Sequence, residues 1–194
     1  YTLGMVGAIG ASSSIFAADY ALEEVVVTAQ KRAESLQDVP ISVSAMSAEK
    51  LAQSGVQRFE DVSAYVPNFA ISKDPIGDKI NIRGIQSGNQ AGFEQSVGTF
   101  VDGVYRGRGV QIRNAFMDVA MVEVLRGPQG TLFGKNTIAG ALNIRSAGPT
   151  EEFESEITTS YNTNFDELEI QGYVSGSITD SVRGRLAVLS REMK

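Results

Sequence analysis

The chain has 194 residues, of which 23 are acidic and 17 are basic, so its net charge at neutral pH is −6. This acidic balance argues against a nucleic-acid partner, because phosphate backbones are bound by basic surfaces. Cysteine and histidine are both absent, which all but excludes zinc sites and catalysis by a Cys–His or Ser–His pair. We therefore expect neither an enzyme nor a cofactor.

Residues 1–18 carry no charge and begin with a short apolar run, and Ala17 and Ala18 directly precede Asp19. This pattern is typical of the apolar core and cleavage region of a secretory signal that lacks its basic start. The alternative is a buried N-terminal helix. Because the chain begins at Tyr1 and stops at Lys194 in mid-pattern, we expect it to be part of a longer, exported protein.

The next informative segment is Glu23 to Ala29, with the sequence EEVVVTA. Its β-branched residues favour an extended backbone, and charged residues flank it on both sides. Taken alone, it predicts an edge strand or an extended tail. The polar residues 30–38 predict a flexible linker.

From Val39 onward, alternating apolar positions, helix caps and turn residues predict one small α+β domain. The predicted elements are a strand over 39–46, a helix from the Ser47 cap to 56, a short helix over 58–65, strands over 79–84 and 97–101, a hairpin turn at Asp102-Gly103 that leads into 104–105, and a short helical piece around 114–119. Residues 85–93 predict a polar loop.

The stretch from Val122 to Ser146 ends this domain and predicts a strand, a turn, a short helical or looped piece and a second strand. Gly127-Pro128-Gln129-Gly130 interrupts the first strand, because Pro fixes its own φ and Gly permits unusual values. The order Gly130-x-x-x-Gly134-Lys135-Asn136 has the wrong spacing for a phosphate-binding loop and lacks its hydroxyl residue.

From Phe153 the pattern changes to regular alternation. Three strands, over 153–162, 167–178 and 182–189, each carry one apolar and one mostly polar face. Strands of an outer-membrane barrel show this pattern, with apolar residues toward lipid and polar residues toward the lumen. A soluble antiparallel sheet with one wet face shows it too, and periodicity alone leaves both open.

The sequence VEVLRGPQGTLFGKNTIAGALNIRS, from Val122 to Ser146, closely resembles the end of the plug domain of TonB-dependent outer-membrane receptors. That family carries E-V-L-R-G-P-x-G-x-L-F-G-x-N-x-x-G-G-x-[IVL]-N-[IV] there, and Ala141 stands where the family often has a second Gly. Residues 80–84 resemble its [IV]-x-[IV]-R-G element. Residues 97–104 resemble its V-x-x-Y-[VI]-D-G element, with Phe100 in place of Tyr. Residues 24–29 resemble its TonB box.

The resemblance implies an α+β plug domain followed by the first antiparallel strands of an incomplete transmembrane β-barrel. The implied units are a signal remnant at 1–18, the TonB box and linker at 19–38, the plug at 39–148 and three barrel strands at 149–194. The implied function is TonB-dependent active transport of a scarce solute (ferric siderophore, vitamin, haem or saccharide) across the bacterial outer membrane. The alternative is a secreted soluble binding module with a plug-like domain.

The resemblance also implies roles for single residues, with outer-membrane lipid around the barrel and the plug and TonB box facing the periplasm. The TonB energy transducer would add a strand to the box, which comprises Glu24, Val25, Val26, Val27, Thr28 and Ala29. The implied plug–barrel contacts are Arg83, Glu123 and Arg126, of which the arginines match plug residues that pair with barrel glutamates in relatives. The implied ligand-facing residues are Gln86, Ser87, Asn89, Tyr105, Arg106 and Arg108, whose arginines favour an anionic ligand such as a ferric siderophore.

Overall fold

The computed structural model of the chain describes residues 25–28, 32, 34–56, 58–75, 77–87, 94–112, 116–163 and 166–193. The predicted signal remnant at 1–18 lies outside these described residues, as do three predicted site residues, Glu24, Ala29 and Asn89.

The secondary structure follows the predicted order from the N-terminal segment to the last strand. The strands are β1 (Val26–Val27), β2 (Glu34–Ser35), β3 (Ser42–Ser47), β4 (Phe69–Ser72), β5 (Lys79–Ile82), β6 (Ile85–Gln86), β7 (Val97–Val101), β8 (Val104–Arg106), β9 (Val119–Arg126), β10 (Gly140–Ser146), β11 (Glu154–Asn162), β12 (Glu167–Thr179) and β13 (Val182–Met193). The helices are α1 (Ala48–Gln53) and α2 (Gly130–Phe133), with 3₁₀ turns at Phe59–Ala64 and Gly109–Ile112. None of the helices in this part of the chain has the length and apolar composition needed to cross a membrane.

Most of the predicted elements are present with shifted bounds, and β13 extends to Met193. The short strands β2 and β6 lie in segments predicted as a linker and a loop. Ser47 caps α1 as expected, because its hydroxyl accepts a hydrogen bond from the Lys50 amide at 3.3 Å. Asp102 and Gly103 have φ values of +50° and +77°, which is the pair of positive values that a type I′ hairpin turn requires. The helical piece predicted around 114–119 is wrong for the described residues from 116 on, because β9 already begins at Val119 and pairs with β10.

A mixed sheet of five strands, in the order β3-β9-β10-β7-β8, organises the described residues of the plug. Strand β9 lies between β3 and β10, with Glu123 opposite Ala45 on one side and Asn143 on the other. Strand β10 runs parallel to β7, and Gly140 lies opposite Val97. A Cβ on Gly140 would stand 2.2 Å from the Leu125 carbonyl oxygen, so this position needs Gly, whereas Ala141 fits beside it.

Both faces of this sheet are covered, which explains the nearly continuous apolar run of β9. The main core packs α1, the two 3₁₀ turns and the β4-β5-β6 sheet against one face. It comprises Met46, Leu51, Val56, Phe59, Val62, Val66, Phe69, Ile80, Ile82, Val97, Val101, Ile112, Val122, Val124, Ala139, Leu142 and Ile144. A smaller second core covers the other face; it comprises Val27, Val39, Phe100, Leu125 and Ala141.

Strands β11, β12 and β13 form a separate antiparallel sheet, as the alternation predicted. Its apolar side chains point outward and are exposed, among them Ile157, Ile170, Val174, Ile178, Leu186 and Val188. Its polar face turns toward α1 of the plug, across a cavity of about 440 Å³ that Leu51, Glu156 and Glu169 help to line. The observed architecture is an α+β plug followed by antiparallel strands.

Candidate functional site

The N-terminal segment, residues 25–28, lies against the second core of the plug. Strand β1 pairs with β2, and the Leu36 amide donates to the Val25 carbonyl oxygen at 2.9 Å. Val27 is 0% exposed, whereas its neighbour Val26 is 44% exposed. The segment resembling a TonB box is therefore bound to the plug through one buried valine and a two-residue strand pair.

Glu123 holds the end of this segment. Its carboxylate accepts hydrogen bonds from the Thr28 amide and, at 3.3 Å, from the Thr28 hydroxyl. Asn143 Nδ2 donates to the same carboxylate at 2.6 Å, and the Arg145 guanidinium donates to the Thr28 hydroxyl at 3.4 Å. Glu123 is 0% exposed. The sequence predicted a plug–barrel contact for Glu123, but the plug and the N-terminal segment enclose it completely, so its contact is internal.

The two predicted plug arginines lie close together at one edge of the plug. Arg126 Nη1 donates to the Pro67 carbonyl oxygen at 3.3 Å, and its Nε is buried without a hydrogen-bond partner in the described residues. A guanidinium nitrogen of Arg83 lies 3.7 Å from the position that a Cβ on Gly127 would take. The structure thus brings Arg83 beside the residue that follows Arg126.

Two ion pairs, neither of which was predicted, join the plug to the three-strand sheet. Arg58 donates to the Glu167 carboxylate, which is 3% exposed and also pairs with Arg191 at 2.9 Å. Asp118 accepts two hydrogen bonds from Arg185, each 2.6 Å long. One feature of the sequence pointed to these ion pairs. Glu167 and Arg185 occupy the polar face of strands whose other face is apolar.

Most of the predicted ligand-facing residues lie on the plug surface, but Ser87 does not. Ser87 is 1% exposed, and its hydroxyl accepts a hydrogen bond from the Val97 amide at 2.9 Å. Its prediction as a ligand-facing residue is therefore wrong, because this hydroxyl closes the loop onto β7. Gln86 and Arg108 are exposed, and Arg106 is half-buried.

Tyr105 is held in place rather than free. Its hydroxyl accepts a hydrogen bond from Asn136 Nδ2 at 2.9 Å, and its ring lies 5.5 Å from the Phe100 ring.

Nearby, the Glu94 carboxylate lies 2.6 Å from Lys135 Nζ and raises the pKa of Lys135 through that hydrogen bond and its charge. Within the described residues, no group of acidic side chains is arranged to hold a metal ion.

The strand registers define two ends of the main sheet. Arg126 and Val97 both lie opposite Gly140 at one end, and β8 runs toward that end before Arg108. At the other end β10 stops at Ser146, whose amide donates to the Asp102 carboxylate at 2.8 Å, and the chain leaves for β11. The predicted ligand-facing arginines and Arg126 therefore lie away from the end where the chain enters the three-strand sheet.

Comparison with known proteins gives the family. The family model described as the TonB-dependent Receptor Plug Domain matches residues 35–141, which is more than half of the chain. The chain therefore belongs to the TonB-dependent receptor plug domain family.

Among curated relatives, the pesticin receptor of Yersinia pestis is 31% identical over 172 residues, which is 87% of this chain and 25% of that protein. The ferrichrome outer membrane transporter/phage receptor of Escherichia coli strain K12 is 28% identical over 171 residues, or 80% of this chain and 22% of that protein. The chain thus spans about a quarter of the length of these relatives. They are named as receptors and transporters rather than enzymes, and they give no support to a soluble module.

The fold is similar to that of solved receptors. The crystal structure of the ferric yersiniabactin uptake receptor from Yersinia pestis superposes with a TM-score of 0.69 at 30% identity, covering 77% of this chain and 24% of that one.

Proposed function

We propose that this chain is the plug and the first barrel strands of an outer-membrane receptor that imports a ferric siderophore by TonB-dependent transport. The observation that carries the proposal is the combined similarity in sequence and fold to the ferric yersiniabactin uptake receptor, at 30% identity and a TM-score of 0.69. The outward-facing apolar residues of β11 to β13 support contact with outer-membrane lipid. Vitamin, haem and saccharide ligands are the alternatives that an uptake assay separates.

In this proposal, the segment from Glu24 to Ala29 binds the TonB energy transducer by β-strand addition. Main-chain hydrogen bonds would supply the binding, and alternate side chains would set the register. The described residues support this, because Val25 to Thr28 are β-branched and extended, and Val26 is exposed.

Arg83 and Arg126 would bind carboxylates on further barrel strands and so hold the plug in place. The relatives are long enough to contain such strands, because this chain spans only 25% of the pesticin receptor. The buried Arg126 Nε without a partner in the described residues supports this role, since buried guanidinium nitrogens normally have a hydrogen-bond acceptor. Arg58 and Asp118 already make such contacts with β12 and β13.

Ligand contact would fall to Gln86, Tyr105, Arg106 and Arg108, with Asn89 outside the described residues. Two arginines at one end of the plug favour an anionic ligand, and a ferric siderophore with ionised chelating groups is one. The Asn136–Tyr105 hydrogen bond fixes an aromatic side chain beside them.

The test is uptake of radioactive iron, supplied as a panel of ferric siderophores, by iron-restricted cells whose receptor is the full-length protein. We expect uptake that requires TonB and is abolished by Val26→Pro, since Pro removes a main-chain donor from the added strand. The matched control, Val26→Ala, keeps the main-chain donor and should retain most of the uptake. If the cells lacking TonB take up the ligand equally well, or if Val26→Pro is silent, the proposed coupling is wrong.

A further inference from the structure

We propose that Glu123 is a latch that competes with TonB for the main chain of the box, so that it sets how readily the box is released. The inference rests on the proposed function and adds the residue that regulates it. Three observations support it. Glu123 occupies the open edge of β1, the strand that bears Glu123 is fixed in the sheet, and few other contacts hold the box.

The first observation concerns which edge of β1 is open. In an antiparallel pair, the N–H and C=O groups of alternate residues point to the same side. The Leu36 amide donates to the Val25 carbonyl, so the main-chain groups of Val25 and Val27 face β2. Those of Val26 and Thr28 face the opposite edge, where a strand from another protein would add while β2 stays paired.

On that open edge, the Thr28 amide already donates to the Glu123 carboxylate. One N–H cannot serve both the carboxylate and a carbonyl of an incoming strand at full strength. Strand addition along this edge therefore requires the bond between Thr28 and Glu123 to break. A neutral side chain would be a weaker competitor, because hydrogen bonds to an ionised acceptor are about twice as strong as neutral ones.

The second observation is that Glu123 sits on an internal strand of the plug sheet. Strand β9 is hydrogen-bonded to β3 on one side and to β10 on the other, and Asn143 on β10 donates to the carboxylate at 2.6 Å. Glu123 is therefore a fixed acceptor, and release has to come from movement of the segment 25–28.

The third observation is that little else retains the segment. Strand β1 is two residues long, and a two-stranded pair of this length is marginal by itself. Of its two valines, only Val27 is buried. Beside the latch, Val25 packs against the second core and Arg145 donates to the Thr28 hydroxyl. Loss of the Glu123 contact should shift the population of released box measurably.

The test uses the full-length receptor in lipid nanodiscs, with Val27→Cys as the reporter, since these 194 residues contain no cysteine; any cysteine elsewhere in the protein is replaced. A charged maleimide labels the buried position 27 only when the box is released. We expect Glu123→Gln to raise the labelling rate by about tenfold or more, in the absence of TonB and ligand.

The control is Glu94→Gln, which removes the charge of an exposed plug carboxylate paired with Lys135 and should leave labelling unchanged. Thermal unfolding checks that each variant is folded. Hydrogen exchange in the unmodified receptor gives a test without any substitution. We expect the Thr28 amide to exchange about tenfold or more slowly than the Val26 amide. The two amides face the same edge, but the Val26 amide does not contact Glu123. Equal exchange at the two amides, or unchanged labelling in folded Glu123→Gln, overturns the latch.

A second readout separates the latch from the proposed function. The purified periplasmic domain of TonB should bind the Glu123→Gln receptor, without Val27→Cys, more tightly than the unmodified one, by the same factor as the labelling rate. If labelling rises but this domain binds neither receptor, the latch stands and TonB coupling falls. If the domain binds both equally and labelling does not change, the coupling stands and the latch falls.

Discussion

The plug sheet and the three-strand sheet place their apolar residues in opposite ways. In the plug sheet, apolar side chains such as Leu142 and Val124 are 0% exposed, because helices and short strands cover both faces. In β11 to β13, Leu186 and Ile157 point outward, and charged residues such as Arg185 point inward to the plug. The first region buries its own apolar side chains, whereas the second leaves an apolar face exposed, as the proposed contact with lipid requires.

The largest effect should come from the plug core. Leu142→Ala removes a fully buried side chain and is expected to lower the free energy of opening of the plug by about 2–5 kcal/mol. Hydrogen exchange of the β9 and β10 amides in the full-length receptor measures this. Leu186→Ala, which shortens an outward-facing side chain, should leave that exchange unchanged; comparable effects at both positions would erase the contrast between the regions.

The next effect tests the outer face directly. Leu186→Arg is expected to cost about 2–4 kcal/mol if the residue lies near the bilayer midplane, since a charge must then enter the lipid. Ala187→Arg, at the neighbouring inward position that lines the cavity, should cost clearly less. Urea titration of folding into lipid vesicles gives both values. An outer face that meets water would tolerate Leu186→Arg better than Ala187→Arg.

A smaller effect separates a shielded ion pair that joins the two regions from an exposed pair within residues 149–194. Asp118 and Arg185 are 17% and 11% exposed, so a double-mutant cycle with Asp118→Asn and Arg185→Gln should give a coupling of about 1–3 kcal/mol. The matched cycle on Glu151 and Arg183, which are 75% and 50% exposed, should give about 0.5 kcal/mol or less. Similar couplings for both pairs would mean that Asp118–Arg185 does not anchor the plug.

The smallest effect concerns a pair on the plug surface. Glu94 raises the pKa of Lys135 above the ordinary lysine value of 10.5, so Glu94→Gln should lower it toward that value, as followed by NMR of methylated lysines. Because the pKa of Lys135 is higher in the folded state than in the unfolded state, the pair stabilises the protein below pH 10.5. This stabilisation is lost as the pH rises through the pKa of Lys135 in the folded state. Both side chains are mostly exposed, so the melting temperature at neutral pH should not change. A clear loss of thermal stability would show that the surface pair is structural.

Local sequence was enough to predict elements whose cause is local. The Ser47 cap and the turn at Asp102-Gly103 were predicted because each depends on the conformational preferences of one or two residues. The three strands after Phe153 were predicted because their alternation is regular over many residues. The helical piece around 114–119 failed beyond 116, because pairing of β9 with β10 decides that backbone and local propensity does not record it.

In the candidate site, too, local features could be predicted from the sequence and contacts between distant residues could not. The composition of Val25 to Thr28 predicted an extended segment, and the resemblance implied its role. The partner that holds it, Glu123, lies 95 residues from Thr28. Ser87 was assigned to a ligand-facing loop for its polarity, but its hydroxyl is used internally. The ion pair between Arg58 and Glu167 joins residues 109 positions apart, and one sequence cannot show such a pairing.

By itself, the sequence determined the order of elements, the resemblance over Val122 to Ser146 and the change of pattern at Phe153, since each is written in neighbouring residues. Only the tertiary structure decided that Glu123 faces the N-terminal segment rather than a barrel wall, and that Arg58 and Asp118 anchor the plug to the first strands. The physical reason is that hydrogen bonds and ion pairs depend on which distant side chains folding brings within about 3 Å of one another, and alternation along a strand specifies a face but not its partner.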